Sequence, residues 1–187
     1  GDAKATLILA AIEFARRRLL IQGQRFSQRD FISFDQLLNA DALTIGFARR
    51  AATYKRASLL FTDLARLTSI CEGRVQFIFA GKAHPHDQAG QDVIRKVVHA
   101  AHELGDRVRV AYLSNYSMWT GALLSSGVDV WLNTPVRPHE ASGTSGMKAA
   151  QNGVPSASIA DGWWAEGGRD GVNGWILGQP HVSDDAT

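Results

Sequence analysis

From Leu43 to Arg56 the chain reads Leu-Thr-Ile-Gly-Phe-Ala-Arg-Arg-Ala-Ala-Thr-Tyr-Lys-Arg. A short apolar run, Leu43 to Phe47, gives way to a loop, Arg49 to Lys55, and then to a stretch with helical texture, Tyr54 to Thr68. The same alternation continues downstream. Strand-like runs fall at Val75 to Ala80, Val108 to Leu113, Val128 to Leu132 and Ser156 to Ile159, and helical segments at Ala89 to Leu104, Tyr116 to Ser126 and Gly146 to Asn152. Strands alternating with helices imply βαβ crossovers and a parallel sheet. The strands are near-continuous apolar runs, as expected when helices cover both faces. The fold class is therefore α/β, a Rossmann-like parallel sheet of about five strands. Ligands of such sheets sit at the carboxyl ends of the strands. The loops Arg49 to Lys55, Gly81 to Asp87, Ser114 to Ser117 and Asn133 to Lys148 are thus expected around one site.

Upstream, Ala3 to Gln22 carries apolar residues at helical spacing (Leu7, Leu9, Ile12, Phe14, Leu19, Leu20), with Gly23 as a stop. Gln24 to Asn39 is polar and irregular, with Phe26, Phe31 and Phe34 expected to pack onto the main body. Residues 1–42 read as a helix and connecting segment, and 43–187 as a partial Rossmann-like domain. Its last part, Asp161 to Gly178, is rich in Gly and Trp and reads as loops with a short final strand.

The 187 residues suffice for one domain with a real core. Hydrophobic residues make up 45% and charged residues 20%, the balance of a globular chain. A net charge of +2 gives no reason to expect nucleic acid or a membrane surface as partner. No apolar run approaches the ~20 residues that span a bilayer. Cys71 is the only cysteine, so a reducing, cytoplasmic setting is the simpler expectation. The chain opens without Met and already in helical texture, so it reads as cut from something longer.

Two constellations could carry chemistry. The first places Arg49, Arg50, Lys55 and Arg56 within eight positions at a strand's carboxyl end, where a helix N-terminus would add to the pull on an anion. So many cations help only if something doubly negative binds; on pattern alone a solvated basic face reads as well. The second is Glu140-Ala-Ser-Gly-Thr-Ser-Gly-Met-Lys148. Its small residues let backbone approach a ligand, and its hydroxyls suit a phosphate. Lys148 follows about one turn into the next helix, as a pyridoxal-bearing lysine beside a phosphate cradle would. A Ser/Thr-capped helix start with one surface lysine is the bland alternative.

Four segments, in order, resemble one family. Glu-Ala-Ser-Gly-Thr-x-x-Met-Lys, Glu140 to Lys148, is similar to the pyridoxal-phosphate attachment motif of the α-glucan (glycogen, starch, maltodextrin) phosphorylases. Arg-Arg-x-x-x-Tyr-Lys-Arg, Arg49 to Arg56, resembles their phosphate-binding segment. Ala-Gly-Lys-Ala-x-Pro, Ala80 to Pro85, and Ser-Asn-Tyr, Ser114 to Tyr116, fall between them in the family's order. The likeness spans roughly Leu43 to Gly178, and Thr-Ser-Gly-Met-Lys-Ala-Ala with Asp-Gly-Trp-Trp-Ala-Glu looks most like the bacterial and archaeal branch.

The resemblance implies the C-terminal half of a two-Rossmann-domain (GT-B) glycosyltransferase whose N-terminal partner domain is missing. It implies Lys148 as the lysine carrying pyridoxal 5'-phosphate, with Thr144, Ser145 and Arg49 on the cofactor phosphate and Tyr116 near its ring, supported by Asn115. Arg50 and Lys55 are implied on orthophosphate or glucose 1-phosphate, and Glu140, Ala141, Ser142 and Gly143 on glucosyl hydroxyls. The implied reaction is reversible phosphorolysis of terminal α-glucosyl units with retention, the cofactor phosphate serving in acid–base catalysis. The catalytic set is thus Lys148, Arg50 and Lys55. Thr53, Ser117 and the pair Ser145-Gly146 depart from the long phosphorylases, which carry an acidic residue, Arg and Gly-Asn there; this touches phosphate affinity.

Other residues are set aside. His84-Pro85-His86-Asp87 offers too few spaced ligands for a metal, and no metal is expected. Cys71 reads as an inert packing residue, Trp163 and Trp164 as core packing, and Glu166 stays unassigned. A sugar-nucleotide-dependent transferase, glycogen synthase-like, competes as an enzyme but has no use for Lys148. An inert cofactor-binding fragment competes from another class. A nicotinamide oxidoreductase is disfavoured because no G-x-G-x-x-G follows the first strand. Self-association into a homo-oligomer is left open.

Overall fold

The computed structural model describes residues 2–21, 38–114 and 116–178, with side chains from 12 to 21 outside the description. The expectations for Phe26, Phe31, Phe34 and Asn115 lie outside the described residues, as do residues 179–187 and the side chains of Ile12, Phe14, Leu19 and Leu20. Among the described residues six strands form one sheet: β1 (Leu43–Ala48), β2 (Val75–Ala80), β3 (Arg109–Leu113), β4 (Val130–Asn133), β5 (Ser156–Ile159) and β6 (Gly174–Leu177). Their spatial order is β3-β2-β1-β4-β5-β6 and every neighbouring pair is parallel. The sixth strand occupies the segment in which a short final strand is expected from the sequence.

Alternation along β2 shows why the sheet is covered on both sides. Phe77 and Phe79 enter one core with Leu67 and Cys71 of α2 (Leu64–Cys71) and Val97 and Leu104 of α3 (Gln88–Leu104). Ile78 and Ala80 point the other way, to Leu124 of α4 (Met118–Gly127), Ala149 of α5 (Thr144–Gln151) and Leu7 and Ile8 of α1 (Asp2–Ile21). Successive residues of a strand face opposite sides, so one run of sequence supplies both cores. This is the doubly wound α/β fold expected from the sequence. A last short helix, α6 (Trp163–Gly167), lies between β5 and β6.

The helix read at Tyr54 to Thr68 is a correction. The chain instead makes two 3-10 turns, Thr53–Lys55 and Leu59–Phe61, before α2 begins. Arg56 adopts φ 49°, which ends the first turn. Its side chain donates to the carbonyls of Thr134 (2.9 Å) and Pro135 (3.1 Å) after β4. Asp63 then starts α2 afresh by accepting from the Arg66 N–H. No α-helix N-terminus therefore stands behind the basic loop, and its pull on anions comes from the side chains.

The strand order reverses direction between β1 and β4. Chains leave those two carboxyl ends toward opposite edges of the sheet, which opens a crevice there.

Candidate functional site

That crevice is a cleft of about 940 Å³, lined by the loops after β1 and β4, one face of α4 and the first two turns of α5. Arg49, Arg50 and Lys55 line it from one loop, Tyr116 from beside α4, and Glu140 to Ser145 with Lys148 from the opposite side, whereas Arg56 and the loop Gly81 to Asp87, expected around the same site, do not. Residues almost a hundred positions apart thus meet because β1 and β4 are neighbours.

The basic loop is fixed from both sides. The Arg49 N–H donates to the Ala80 carbonyl and the Ala51 N–H to the Lys82 carbonyl, each at 3.1 Å. Gly81 permits this closeness, since a Cβ there would stand 2.3 Å from the Arg49 carbonyl oxygen. On the other flank the Thr134 hydroxyl donates to the carbonyls of Lys55 (3.1 Å) and Arg56 (3.2 Å). The Val136 N–H donates to the Tyr54 carbonyl at 2.8 Å.

At the centre, Glu140 receives two cations on one oxygen. Arg49 Nη2 lies 2.6 Å from Glu140 Oε2, and Lys55 Nζ donates to the same atom. The three side chains are only 5%, 9% and 8% exposed, for Arg49, Lys55 and Glu140. Burial pulls the Arg49 guanidinium below its ordinary value, an effect that Glu140's charge and hydrogen bond oppose. Beside them, Arg49 Nη1 and the Ser145 hydroxyl are buried donors without a partner. A buried unpaired donor is costly, so both point to a group that completes them. An oxyanion such as phosphate has the acceptor oxygens for it.

Helix α5 begins on Gly143 at φ 80° with no side-chain cap. The Ser/Thr cap of the bland alternative is thus absent; a glycine takes that position because a left-handed residue is needed. Thr144 and Ser145 fall in the first turn, whose N–H groups have no partner within the helix. Gly146 is buried against Asn133 and Trp163, where a Cβ would stand 2.9 Å from Asn133 Nδ2. Lys148 lies one turn on and is exposed in the open cleft. Arg50 is exposed too, as are Ala141, Ser142 and Thr144. Tyr116 is half-buried over Gly121, and burial raises its phenol above the ordinary value.

Several residues here escaped sequence reading. Asp161 accepts from the Glu140 N–H (2.9 Å) and the Gly162 N–H (3.0 Å), and the Trp163 N–H donates to the Ser142 carbonyl at 2.8 Å. The turn after β5 therefore clamps the Glu140–Ser142 backbone. An Asp-Gly pair at a strand end was the only signal. Trp131, 1% exposed, forms part of the cleft floor and keeps an unpartnered indole N–H. Trp164 is buried and Trp163 packs edge-on against it, 5.1 Å between centroids. Burial also raises the Cys71 thiol, which Arg74 opposes.

Comparisons with known proteins bear on this geometry. The pattern of the carbohydrate phosphorylases matches residues 44–166, which takes in both loops of the cleft. The maltodextrin phosphorylase of Thermococcus litoralis is 46% identical over 170 residues, covering 89% of this chain and 20% of its own length. The glycogen phosphorylase of Aquifex aeolicus is 48% identical over 151 residues, 79% of this chain and 22% of its own. That of Mycobacterium tuberculosis is 50% identical over 140 residues, 73% and 16%. The chain thus spans about a fifth of the length of these relatives. Among solved structures, Anabaena HepE in complex with UDP and glucose shares the fold (TM-score 0.61, 23% identity, 84% of this chain and 40% of HepE). Among the described residues no helix is long and apolar enough to cross a membrane. With the paired loops at the sheet's reversal point and identities near one half across them, the chain belongs to the carbohydrate phosphorylase family.

Proposed function

We propose that the cleft is the cofactor and phosphate wall of an α-1,4-glucan phosphorylase. In this reading Lys148 carries pyridoxal 5'-phosphate, and Arg49, Thr144 and Ser145 hold its phosphate. Arg50 and Lys55 hold orthophosphate or the phosphate of glucose 1-phosphate. Glu140, Ala141, Ser142 and Gly143 run along the glucosyl hydroxyls, and Tyr116 stands beside the cofactor ring. The observation that carries it is the orphaned pair, Arg49 Nη1 and the Ser145 hydroxyl, buried in the same cleft as Lys148.

The residues present fit the cofactor. Bound there, pyridoxal phosphate supplies a phosphate able to exchange a proton with substrate orthophosphate. Arg49 and Lys55 make two adjacent phosphates tolerable, because charge-assisted donors offset their mutual repulsion. Arg50, exposed toward the open side, orients the arriving phosphate. The backbone from Glu140 to Ser142, clamped by Asp161 and Trp163, positions sugar hydroxyls. The reaction is reversible phosphorolysis of a terminal glucosyl unit, as the names of the relatives suggest. The opposite wall, and much of the water exclusion, then belongs to an N-terminal domain among the four-fifths of the relatives' length beyond this match. Cys71, the single cysteine, supports a reducing cytoplasm.

Residues 1–187 alone are therefore expected to bind the cofactor yet form no measurable glucose 1-phosphate from maltodextrin. Joined to the N-terminal domain, the protein should do so, and Lys148→Ala should abolish it. Activity of the joined protein that survives Lys148→Ala, with a sugar nucleotide accepted as donor, would favour the nucleotide-sugar transferase instead.

A further inference from the structure

We propose that the Glu140 carboxylate is a resident counter-ion of the anion cradle, displaced when phosphate oxygens take over Arg49 and Lys55. The inference rests on reading the cleft as a phosphate site, and it adds a role for Glu140 beyond the sugar contact assigned above. Both cations converge on one oxygen, Oε2, and all three side chains are nearly removed from solvent. Two buried cations without a counter-charge would be strongly unfavourable, so a carboxylate held there keeps the cleft stable before any ligand arrives. The compensation is incomplete. Two positive charges face one negative charge, and Arg49 Nη1 remains buried without an acceptor. A phosphate dianion supplies both the missing charge and the missing acceptor, and so outcompetes the carboxylate.

The local backbone suits such a displacement. Glu140 is anchored through its N–H to Asp161, so the side chain can leave while the loop stays in place. Gly143 and Gly162 flank the Glu140 stem: a Cβ on either would stand 3.6 and 3.1 Å from its Cγ. The Gly162 distance is tighter than ordinary contact, so a side chain there would press on the stem.

The test uses inorganic phosphate titrated into this chain by calorimetry, with the thermal unfolding midpoint measured alongside. Glu140→Gln should bind phosphate more tightly than wild type, on the order of tenfold for the loss of one competing charged contact. Its midpoint should fall below wild type without phosphate and recover when phosphate is added. Glu140→Asp, a methylene shorter and unable to bridge both cations, should lie between the two. If the wild-type chain binds phosphate in a way that Arg49→Ala abolishes, but neither Glu140 variant binds tighter, this inference is overturned and the phosphate site stands. A variant that keeps the wild-type midpoint without phosphate overturns it as well. If neither wild type nor Glu140→Gln binds phosphate, the phosphate reading of the cleft fails and this inference falls with it.

Discussion

Arg49 and Arg50 are neighbours in sequence with opposite surroundings. The first is buried against Glu140, and the second is exposed on the open side of the cleft. The proposed division of labour follows from that difference. In the protein joined to the proposed N-terminal domain, Arg50→Ala should cut the reaction with phosphate and leave cofactor content unchanged. Loss of one charge-assisted hydrogen bond should cost about 1.5–3 kcal/mol, roughly ten- to hundredfold in rate. Arg49→Ala should instead lower the cofactor content of the purified protein, read from its absorbance. Equal effects of the two changes on cofactor content would refute the division. Which of the two cations is buried was not legible in the sequence, because the partner that buries Arg49 lies far along the chain at Glu140. Asp161 was missed for the same reason: its contact with the Glu140 backbone joins two loops 21 residues apart.

Among the elements, the strands were the most legible, since apolar runs buried on both faces leave little else for them to be. The strands β2 and β5 match their sequence reading end to end. The loop after β1 was least legible. Tyr54 to Phe61 has helix-forming side chains, yet contacts with the β4 loop hold Arg56 left-handed and break the run. Tertiary contacts override local propensity here. The start of α5 misled in a smaller way, because Ser142 and Thr144 look like caps while Gly143 takes that position. The close approach of β2's loop to β1's loop gives a direct test. Gly81→Ala would set a Cβ against the Arg49 carbonyl, so one loop must shift. A loss of about 1–3 kcal/mol in urea unfolding is expected, together with weaker phosphate binding. Wild-type stability and wild-type phosphate binding in that variant would show that the loop is not held as described.

Across the whole molecule, α1 shares the core of the sheet. Leu7, Ile8 and Ala11 pack with Ala111 and Leu113 of β3 and Leu124 of α4. Gly127 lets the helices close up, since a Cβ there would stand 2.7 Å from Leu7 Cβ. Lys4 adds an ion pair with Asp129 at 2.6 Å, and Asp129 accepts the Thr44 N–H at 2.7 Å, which ties α1 to the start of β1. The doubly wound sheet fixes where β1 and β4 end, and their loops fix the cleft. In the proposed reading that cleft is built for pyridoxal phosphate on Lys148. The most direct measurement is borohydride reduction after incubation with pyridoxal phosphate, followed by peptide mapping. Lys82 and Lys96 are exposed, like Lys148, but lie outside the cleft, so they serve as internal controls. A single dominant adduct on Lys148, suppressed by excess inorganic phosphate, is expected. An adduct spread over Lys82, Lys96 and Lys148 alike would contradict it.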